Sequence, residues 1–516
     1  MKKISLLFFI LSQLILAQDY NASLEIDSSW NGWEAIVIQN GLISTATVPD
    51  IGARVMKYNL DGYVSIWRDS SLNGKTYTPT ASSPFHNLGG FKNWPSPQYG
   101  AGRWSWPPPP TLDCGKYTYE ILADTPDSAT IKVTSPIEQW KAPKLQFVRR
   151  MTIYKNSSRV KMEQFLLNTD STVLNWGIWD NTQSIGTHLG ENDFENFWAY
   201  FPINPNSVFG SDGVKYDQSS AGWTGEAAPG IYGCQFTPNA HKLFADPHKG
   251  WICYVDELNG VAFVKTFPVF EGAEYPDDGA RVAIYMDARY VEVEVTGPVE
   301  DIPAGGMISF PEDWYAARVN GPILNINSAG AVNTFLKLDN IVITGNYGVF
   351  YVGKAKLVFV DNAGQKLGEG TEHNVSPLEN FDLSESITLP DSTEKIQLCL
   401  YDENETLIDV LDELDLNATG ITNNKEIHIK DFNLKQNYPN PFNPSTKIEY
   451  SIPHSAFISL KVYNLLGEEV TTLYEGIKNA GNYSVEFNGA GLSNGIYFYR
   501  LKVENYMDTK KFVLLK

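Results

Sequence analysis

The sequence predicts an all-β fold built from antiparallel sheets. Between about residues 19 and 320, short runs of Val, Ile, Tyr, Phe and Thr alternate with Gly, Pro, Asn and Asp, the residues that form turns. Few stretches show the 3.6-residue periodicity of an amphipathic helix, which disfavours an α/β fold. We therefore predict a large antiparallel β-sandwich for residues 19–320.

Nine runs in this region have the composition and length of strands. They span residues 34–39, 42–48, 130–134, 145–154, 159–168, 174–179, 261–266, 282–286 and 290–296. Two long intervening segments, residues 70–114 and 182–229, are predicted to be ordered loops. Loops of such length in a compact domain usually have a function, and the aromatic content of these two argues against disorder.

The rest of the chain divides into a spacer, a linker and a tail. Residues 321–418 contain alternating apolar positions such as Ala355, Leu357 and Phe359, which predict a small immunoglobulin-like β-sandwich. Residues 419–433 are mostly polar and predict a flexible linker. Residues 434–516 predict a further all-β module, with strands at 446–452, 458–463, 483–487, 496–503 and 510–515.

The first residues have the layout of a signal peptide. Lys2 and Lys3 precede an apolar stretch at residues 6–16, and the small residue Ala17 follows it. We predict that residues 1–18 direct export through the Sec machinery and are removed. No later segment approaches about 20 unbroken apolar residues, so no transmembrane segment is expected in the mature chain.

Charge and cysteine usage exclude several classes of function. The 516 residues have a formal net charge of −20, which opposes a nucleic-acid partner. The four cysteines lack the C-x-x-C spacing of a zinc site. Cys234 and Cys253 could form a disulfide in an oxidising compartment, and buried free thiols are at least as well supported.

Several motifs in the tail occur in a characteristic order. NYPNPFNPSTKIEYSIP begins at residue 437, LKVYNLLGEEV at 460, GIYFYRL at 495 and KKFVLLK at 510. Together they resemble the C-terminal sorting domain of proteins exported by the type IX secretion system. The resemblance implies recognition by the type IX translocon, and a secreted or cell-surface location reached through the periplasm and outer membrane.

A second resemblance covers the N-terminal region. The motifs are NGL at residue 40, VPDIGARV at 48, GGFKNWPSPQ at 89, YVEVEVTGP at 290, and IPAGG at 302 followed by Trp314. They resemble the galactose-mutarotase-like (aldose 1-epimerase-like) superfamily, in an uncharacterised branch. The resemblance implies a large β-supersandwich with a sugar-binding cleft and places Arg54 among the residues that contact the sugar.

Mutarotation needs a base at the anomeric hydroxyl and an acid at the ring oxygen. The resemblance gives these roles to a glutamate on the closing strand and to a histidine. Glu292 is the predicted base, and Glu294 lies on the same strand face because side chains alternate along a strand. The usual histidine motif is absent from the sequence, which leaves His188 and His86 as alternative acids.

The long loop near residue 100 is a candidate saccharide-binding element. Its aromatic rings could stack on the C–H faces of a sugar, and its polar side chains could bind hydroxyl or carboxylate groups. The residues concerned are Trp94, Trp104, Trp106, Lys92, Gln98 and Arg103. The equal alternative is a loop that folds down and hides its own aromatic rings.

The sequence therefore predicts an exported protein that binds or acts on carbohydrate. A sugar epimerase with Glu292 as base, a polysaccharide lyase or hydrolase, and a non-catalytic surface adhesin remain alternatives. No cofactor or metal is predicted. Glu274, Asp277 and Asp278 could ligate calcium, but their spacing does not match an EF-hand, and an acidic solvated turn is the preferred interpretation.

Overall fold

The computed structural model forms two compact units, Met1–Thr419 and Gly420–Lys516. It describes residues 20–188, 193–217, 223–416, 433–437, 439–452, 456–464, 469–478, 481–503 and 506–515. The predicted signal peptide and, apart from residue 433, the predicted linker lie outside the described residues. The described parts are almost entirely β-structure, as the sequence predicts.

The strands of the first sandwich occupy the chain up to residue 318. In chain order they are β1 (Ser23–Trp30), β2 (Trp33–Gln39), β3 (Ile43–Val48), β4 (Arg54–Leu60), β5 (Tyr63–Val64), β6 (Phe91–Ser96), β7 (Thr118–Asp124), β8 (Ser128–Thr134), β9 (Leu145–Tyr154), β10 (Val160–Asn168), β11 (Leu174–Ile185), β12 (Phe197–Pro202), β13 (Val214–Tyr216), β14 (Gly225–Ala228), β15 (Ile231–Gln235), β16 (His241–Ala245), β17 (Trp251–Asp256), β18 (Val261–Thr266), β19 (Val282–Met286), β20 (Tyr290–Thr296), β21 (Glu300–Ile302) and β22 (Met307–Arg318). Short helical segments lie at Pro49–Ile51, Ser70–Leu72, Pro110–Cys114, Phe194–Asn196 and Pro276–Gly279.

These strands form two large antiparallel sheets. One has the order β1-β2-β3-β4-β6-β11-β20-β19-β16-β13, with β5 and β21 paired at β4 and β11, and contains twelve strands. The other contains ten strands in the order β14-β15-β12-β17-β18-β22-β10-β9-β8-β7. One hydrophobic core fills the space between the sheets and takes Val291, Val293 and Val295 from β20 and Phe263 and Trp314 from the ten-stranded sheet. The predicted large sandwich is therefore confirmed.

The prediction that residues 70–114 and 182–229 are long loops is wrong in part. The segment 70–114 contains β6, a strand in the middle of the twelve-stranded sheet, so Lys92 and Trp94 lie on a strand and not in a loop. The segment 182–229 contains the end of β11 and the strands β12 to β14. Pro95 and Pro97 concealed β6, because proline is rare in central strands.

Two consecutive glycines bring the chain into β6. Gly89 and Gly90 have φ angles of 90° and 80°, in the left-handed region that favours glycine. A Cβ atom on Gly89 would lie 2.4 Å from the carbonyl oxygen of Trp67, and one on Gly90 would lie 2.9 Å from that of Val55. Larger residues would therefore displace β6 from the sheet.

A smaller sandwich follows in the same compact unit. Its strands are β23 (Asn325–Ile326), β24 (Gly330–Asp339), β25 (Val342–Val349), β26 (Gly353–Val360), β27 (Lys366–Val375), β28 (Phe381–Ser386), β29 (Lys395–Tyr401) and β30 (Leu407–Asp415). They form two four-stranded sheets, ordered β23-β24-β25-β28 and β27-β26-β29-β30. Ala355, Leu357 and Phe359 lie in the core between them, as their alternation predicts. An apolar cluster that includes Tyr315 and Phe350 joins this sandwich to the first.

The second compact unit is also a β-module. Its strands are β31 (Asn433–Leu434), β32 (Ser445–Ile452), β33 (Ala456–Tyr463), β34 (Glu469–Lys478), β35 (Gly481–Asn488), β36 (Gly495–Val503) and β37 (Tyr506–Leu514). They form a three-stranded sheet, β31-β32-β35, and a four-stranded sheet, β34-β33-β36-β37. The five predicted strands are all present, and β31 and β34 were not predicted from the sequence.

The four cysteines are buried free thiols, so the predicted alternative of a Cys234–Cys253 disulfide is wrong. Burial raises the pKa of both of these thiols well above its usual value. In the described part of the chain, no helix is both long enough and apolar enough to cross a membrane.

Candidate functional site

The candidate site lies on the face of the twelve-stranded sheet that points away from the ten-stranded sheet. Alternation along β20 directs Val291, Val293 and Val295 into the core and Glu292 and Glu294 to the opposite side. The strand register places Gln183 beside Glu292, and Asn181 between Glu294 and Lys92. We call this surface the polar face.

Glu292 is held by neighbours on two other strands. Gln183 Nε2 donates a hydrogen bond of 2.9 Å to Glu292 Oε1, and Lys92 Nζ lies 3.8 Å from the same oxygen. Lys92 also donates to Asn181 Oδ1. Burial lowers the pKa of Lys92 to about 8, against the opposing effect of Glu292. The polar face thus places an ammonium group of reduced basicity beside the predicted base.

Glu294 forms a second acid–base cluster. Lys242 Nζ, on β16, lies 2.8 Å and 3.0 Å from the two carboxylate oxygens of Glu294, and Trp179 Nε1 donates to Oε2 at 3.1 Å. Burial raises the pKa of Glu294 to about 7, even though Lys242 favours the ionised form. The Lys242 ammonium also lies 4.8 Å from the centre of the Trp179 ring.

A cavity of about 140 Å³ opens above this second cluster. Trp179 and Phe244 supply aromatic surface, and Tyr99, which is 64% exposed, stands at its edge. The polar residues that line the cavity are Ser96, Gln98, Asp217, Lys242, Asp277 and Thr296. Aromatic surface and hydrogen-bonding groups therefore meet in one cavity on the polar face.

Asp277 reaches the cavity from an unusual turn. Asp277 and Asp278 have φ angles of 53° and 68°, so two successive non-glycine residues are left-handed. Such backbone costs about 1–3 kcal/mol per residue and is concentrated at functional sites. Burial raises the pKa of Asp277, while Lys242 opposes the rise. The turn places a carboxylate beside the ammonium group of Lys242.

The same turn contains the residues considered for calcium. Asp278 Oδ2 lies 2.5 Å from Lys215 Nζ and forms an ion pair with it. Within the described ranges, no group of three or more His, Cys, Asp or Glu side chains could hold a metal ion.

The tryptophans predicted to bind saccharide have different environments. Trp94 and Trp104 are 2% and 3% exposed, and their indole nitrogens donate to Asp113 at 2.9 Å and to the Pro95 carbonyl at 2.8 Å. Trp104 also stacks on Trp179, with ring centres 6.4 Å apart. Trp106 is 51% exposed and packs against Phe85. The loop after β6 thus folds onto the sheet, and the rings of Trp94 and Trp104 pack against the ring of Trp179.

Three further residues were predicted to contact a sugar. Gln98 lines the cavity. Arg54 is completely buried, pairs with Asp113 at 2.6 Å and donates to the Gly89 carbonyl at 2.9 Å. Arg103 donates to Asn175 Oδ1 at 2.7 Å, and its guanidinium lies 4.5 Å from the centre of the Trp176 ring.

Neither candidate histidine contacts Glu292 in the described structure. His86 stacks on Tyr77 with ring centres 3.5 Å apart, and burial lowers its pKa. Both ring nitrogens of His188 are occupied, Nδ1 by Asp193 and Nε2 by Asp256 at 2.9 Å. Lys92, not a histidine, is the cationic side chain described beside Glu292, and its ammonium group is an acid.

Several residues of this site were not predicted from the sequence. They are Trp179, Asn181, Gln183, Asp217, Lys242 and Phe244. A signal was available for three of them, because Trp179, Asn181 and Gln183 alternate along β11, whose predicted end at residue 179 was too early. Lys242 and Phe244 also alternate, but β16 is short and no prediction was made there.

The pKa of Glu294 predicts a pH dependence of stability. Its folded-state pKa of about 7 exceeds the usual 4.5, so its contribution is complete below pH 4.5 and is lost as the pH rises through 7. We expect the unfolding free energy of the native chain, relative to Glu294→Gln, to fall by up to about 3 kcal/mol between these pH values. Urea unfolding of both proteins at several pH values measures it. If the unfolding free energies of the native chain and Glu294→Gln changed in parallel with pH, the raised pKa of Glu294 would be contradicted. Glu120→Gln, which changes an exposed glutamate, is the control.

Comparison with known proteins identifies the tail. Residues 436–515 match a family described as the secretion system C-terminal sorting domain. They form a type IX sorting domain. The sorting domain directs the protein to the cell surface or the exterior, and the type IX machinery is therefore a partner, as the sequence motifs predict.

Solved structures are similar to more than half of the chain. A galactose mutarotase-like protein from Clostridium acetobutylicum is 13% identical, with a TM-score of 0.39, and the match covers 58% of this chain and 99% of that one. A galactose mutarotase-like protein from Lactobacillus casei is 11% identical, with a TM-score of 0.37 and coverage of 55% and 99%. A protein from Synechocystis is 12% identical, with a TM-score of 0.39 and coverage of 58% and 96%. None of the curated proteins matches the chain.

Proposed function

We propose that this exported protein binds a saccharide in the cavity on the polar face. The observation that carries the proposal is the combination of Trp179 and Phe244 with polar groups in one cavity. A sugar ring has apolar C–H faces that pack on aromatic rings, and hydroxyl groups at its edge that both donate and accept hydrogen bonds. Asp217 and Asp277 supply acceptors, Lys242 supplies a donor, and Gln98 supplies both.

The charges around the cavity favour a neutral sugar. The ammonium of Lys242 is already paired with Glu294, and Asp217 and Asp277 add two carboxylates at the cavity wall. A ligand carboxylate would therefore meet more negative than positive charge. The volume of about 140 Å³ is below the usual range of small-ligand pockets, so the cavity can take up no more than part of one ring or the end of a chain.

Replacing Trp179 with alanine tests the proposal. The mature chain, residues 19–516, is first screened on a glycan array, and the best ligand is titrated by calorimetry. We expect Trp179→Ala to weaken binding about tenfold or more, because the ring supplies stacking surface. The matched control is Trp106→Ala, which removes a half-exposed tryptophan outside the cavity and should change the affinity less than twofold.

The two variants distinguish two locations for the sugar. Loss of affinity in Trp106→Ala, with the affinity of Trp179→Ala unchanged, would contradict binding in the cavity. It would instead favour binding at the loop tryptophans that were predicted from the sequence. Because Trp179 also packs against Trp94 and Trp104, thermal unfolding of the variant is measured, and Phe244→Ala provides an independent change in the same cavity.

A second candidate function is sugar isomerisation. It is favoured by the 3.8 Å separation of Lys92 Nζ and Glu292 Oε1, which supplies an acid and a base side by side. Both side chains are almost completely buried, so turnover would require the polar face to open. Anomer exchange followed by NMR decides this: catalysis predicts its loss in Glu292→Gln and in Lys92→Met with binding retained. If anomers exchange only at the uncatalysed rate in the presence of the native chain, isomerisation is contradicted and saccharide binding is the remaining function.

A further inference from the structure

A second cleft lies where the first sandwich meets the smaller one. Its volume is about 480 Å³, within the range of small-ligand sites. The turn between β17 and β18 and the end of β22 form one wall, and β24, β25 and the segment before β28 form the other. We call it the seam cleft, and the side chains important here are those of Asn259, Arg318, Asn320, Asn333, Asn346 and Asn380.

The composition of the seam cleft is unusual for this chain. Five asparagines line it, and no carboxylate or aromatic side chain is among its described lining residues, although the whole chain has a net charge of −20. The amide nitrogens of Asn259 and Asn333 already donate within the protein, to Asp256 and to the Asn320 carbonyl. The amide groups of Asn320 and Asn380 line the same cleft, and each supplies donors and an acceptor that match the hydroxyl groups of a polyol. The absence of aromatic rings disfavours a nucleobase as ligand.

Arg318 gives the cleft a positive charge. One of its terminal nitrogens, Nη1, donates to the Asn259 carbonyl at 2.8 Å. Within the described ranges no carboxylate forms an ion pair with it, whereas arginines such as Arg54 and Arg159 do have such partners. The rest of the guanidinium can therefore receive an anionic group, and charge-assisted hydrogen bonds of this kind are among the stronger ones.

The walls of the cleft are fixed to one another. Arg318 N donates to the Pro377 carbonyl at 2.9 Å, and Val319 N donates to the Gly260 carbonyl at 3.0 Å. Asn333 Nδ2 reaches the Asn320 carbonyl at 3.0 Å. The apolar cluster that joins the sandwiches lies beneath these contacts. A preformed cleft loses little conformational entropy when it binds a ligand.

We propose that the seam cleft is a second binding site, for an acidic saccharide. The anionic group, a uronate carboxylate or a sulfate ester, pairs with Arg318, and sugar hydroxyls contact the asparagine amides. This site is independent of the cavity on the polar face, whose charges favour a neutral sugar. An exported protein with both sites would bind two kinds of saccharide, a neutral one at the polar face and an acidic one in the seam cleft.

Calorimetric titration of the mature chain with three probes tests this proposal. The probes are tetragalacturonate, a sulfated carrageenan tetrasaccharide and neutral cellotetraose, each at low and at 0.5 M salt. We expect one of the acidic probes to bind at least tenfold more tightly than cellotetraose, and the excess to shrink at high salt. The acidic probe that binds identifies the anionic group.

Arg318→Gln should remove the preference for the acidic probe over cellotetraose. We expect its affinity for the acidic probe to fall at least tenfold, whereas the matched control Arg150→Gln, which removes a half-exposed arginine on β9, should bind like the native chain. Asn380→Ala, at an exposed position of the cleft, should weaken binding several-fold without disturbing the fold.

Two results would overturn the proposal: no binding of either acidic probe, or unchanged affinity in a folded Arg318→Gln. Trp179→Ala should retain binding of the acidic probe, so failure of this site is distinguishable from failure of the site on the polar face.

Discussion

Replacing Arg54 with methionine is expected to lower the free energy of unfolding of the Met1–Thr419 unit by about 3–5 kcal/mol. Arg54 is completely buried and pairs with Asp113 at 2.6 Å. Without the guanidinium, Trp94 Nε1 is the one described side chain that still donates a hydrogen bond to the buried carboxylate of Asp113. Urea unfolding followed by tryptophan fluorescence measures the loss.

A matched surface pair provides the control for this prediction. Lys132 pairs with Glu120, which is largely exposed, and Lys132→Met should cost less than about 1 kcal/mol. The double variant Arg54→Met/Asp113→Leu should recover part of the loss, because no unpaired charge remains buried. A loss below about 1 kcal/mol in Arg54→Met would show that the ion pair is not required for the fold.

Deleting residues 434–516 is expected to abolish delivery to the cell surface and the medium. The deletion removes the sorting domain, which directs the protein to the cell surface or the exterior. The Met1–Thr419 unit has its own hydrophobic cores and should remain folded inside the cell envelope. Cell fractionation and immunoblotting of periplasm, surface and medium measure the distribution.

The control for the deletion is a substitution within the same domain. Lys447→Gln changes an exposed side chain of β32 and should leave export at the native level. Appearance of the truncated protein in the medium at the native level, without release of a periplasmic marker, would contradict the role of the sorting domain.

The strands were largely predictable because their signals are local. Runs of β-branched and aromatic residues defined 145–154, 261–266 and 290–296, which the structure reproduces as β9, β18 and β20. β6 was missed for a local reason too, since Pro95 argued against a central strand. The structure accommodates Pro95 because β4 pairs with β6 at Phe91 and no further residue of β6.

The candidate site was less predictable because it depends on strand register between distant segments. The placement of Glu292 and Glu294 on one face followed from their spacing alone. Lys242 lies 52 positions from Glu294 along the chain, and only the β16-β19-β20 order brings the two together. A lysine in a short strand predicts solvent exposure, so its role next to Trp179 could not be inferred from local sequence.

A crystal structure of residues 19–516 with the best array ligand tests most directly whether the polar-face cavity binds a sugar. We expect a sugar ring in the polar-face cavity, packed against Trp179 and Phe244, with hydroxyl groups within hydrogen-bond distance of Lys242 and Asp277. A sugar bound at Trp106 or elsewhere, with this cavity empty at saturating ligand, would contradict it.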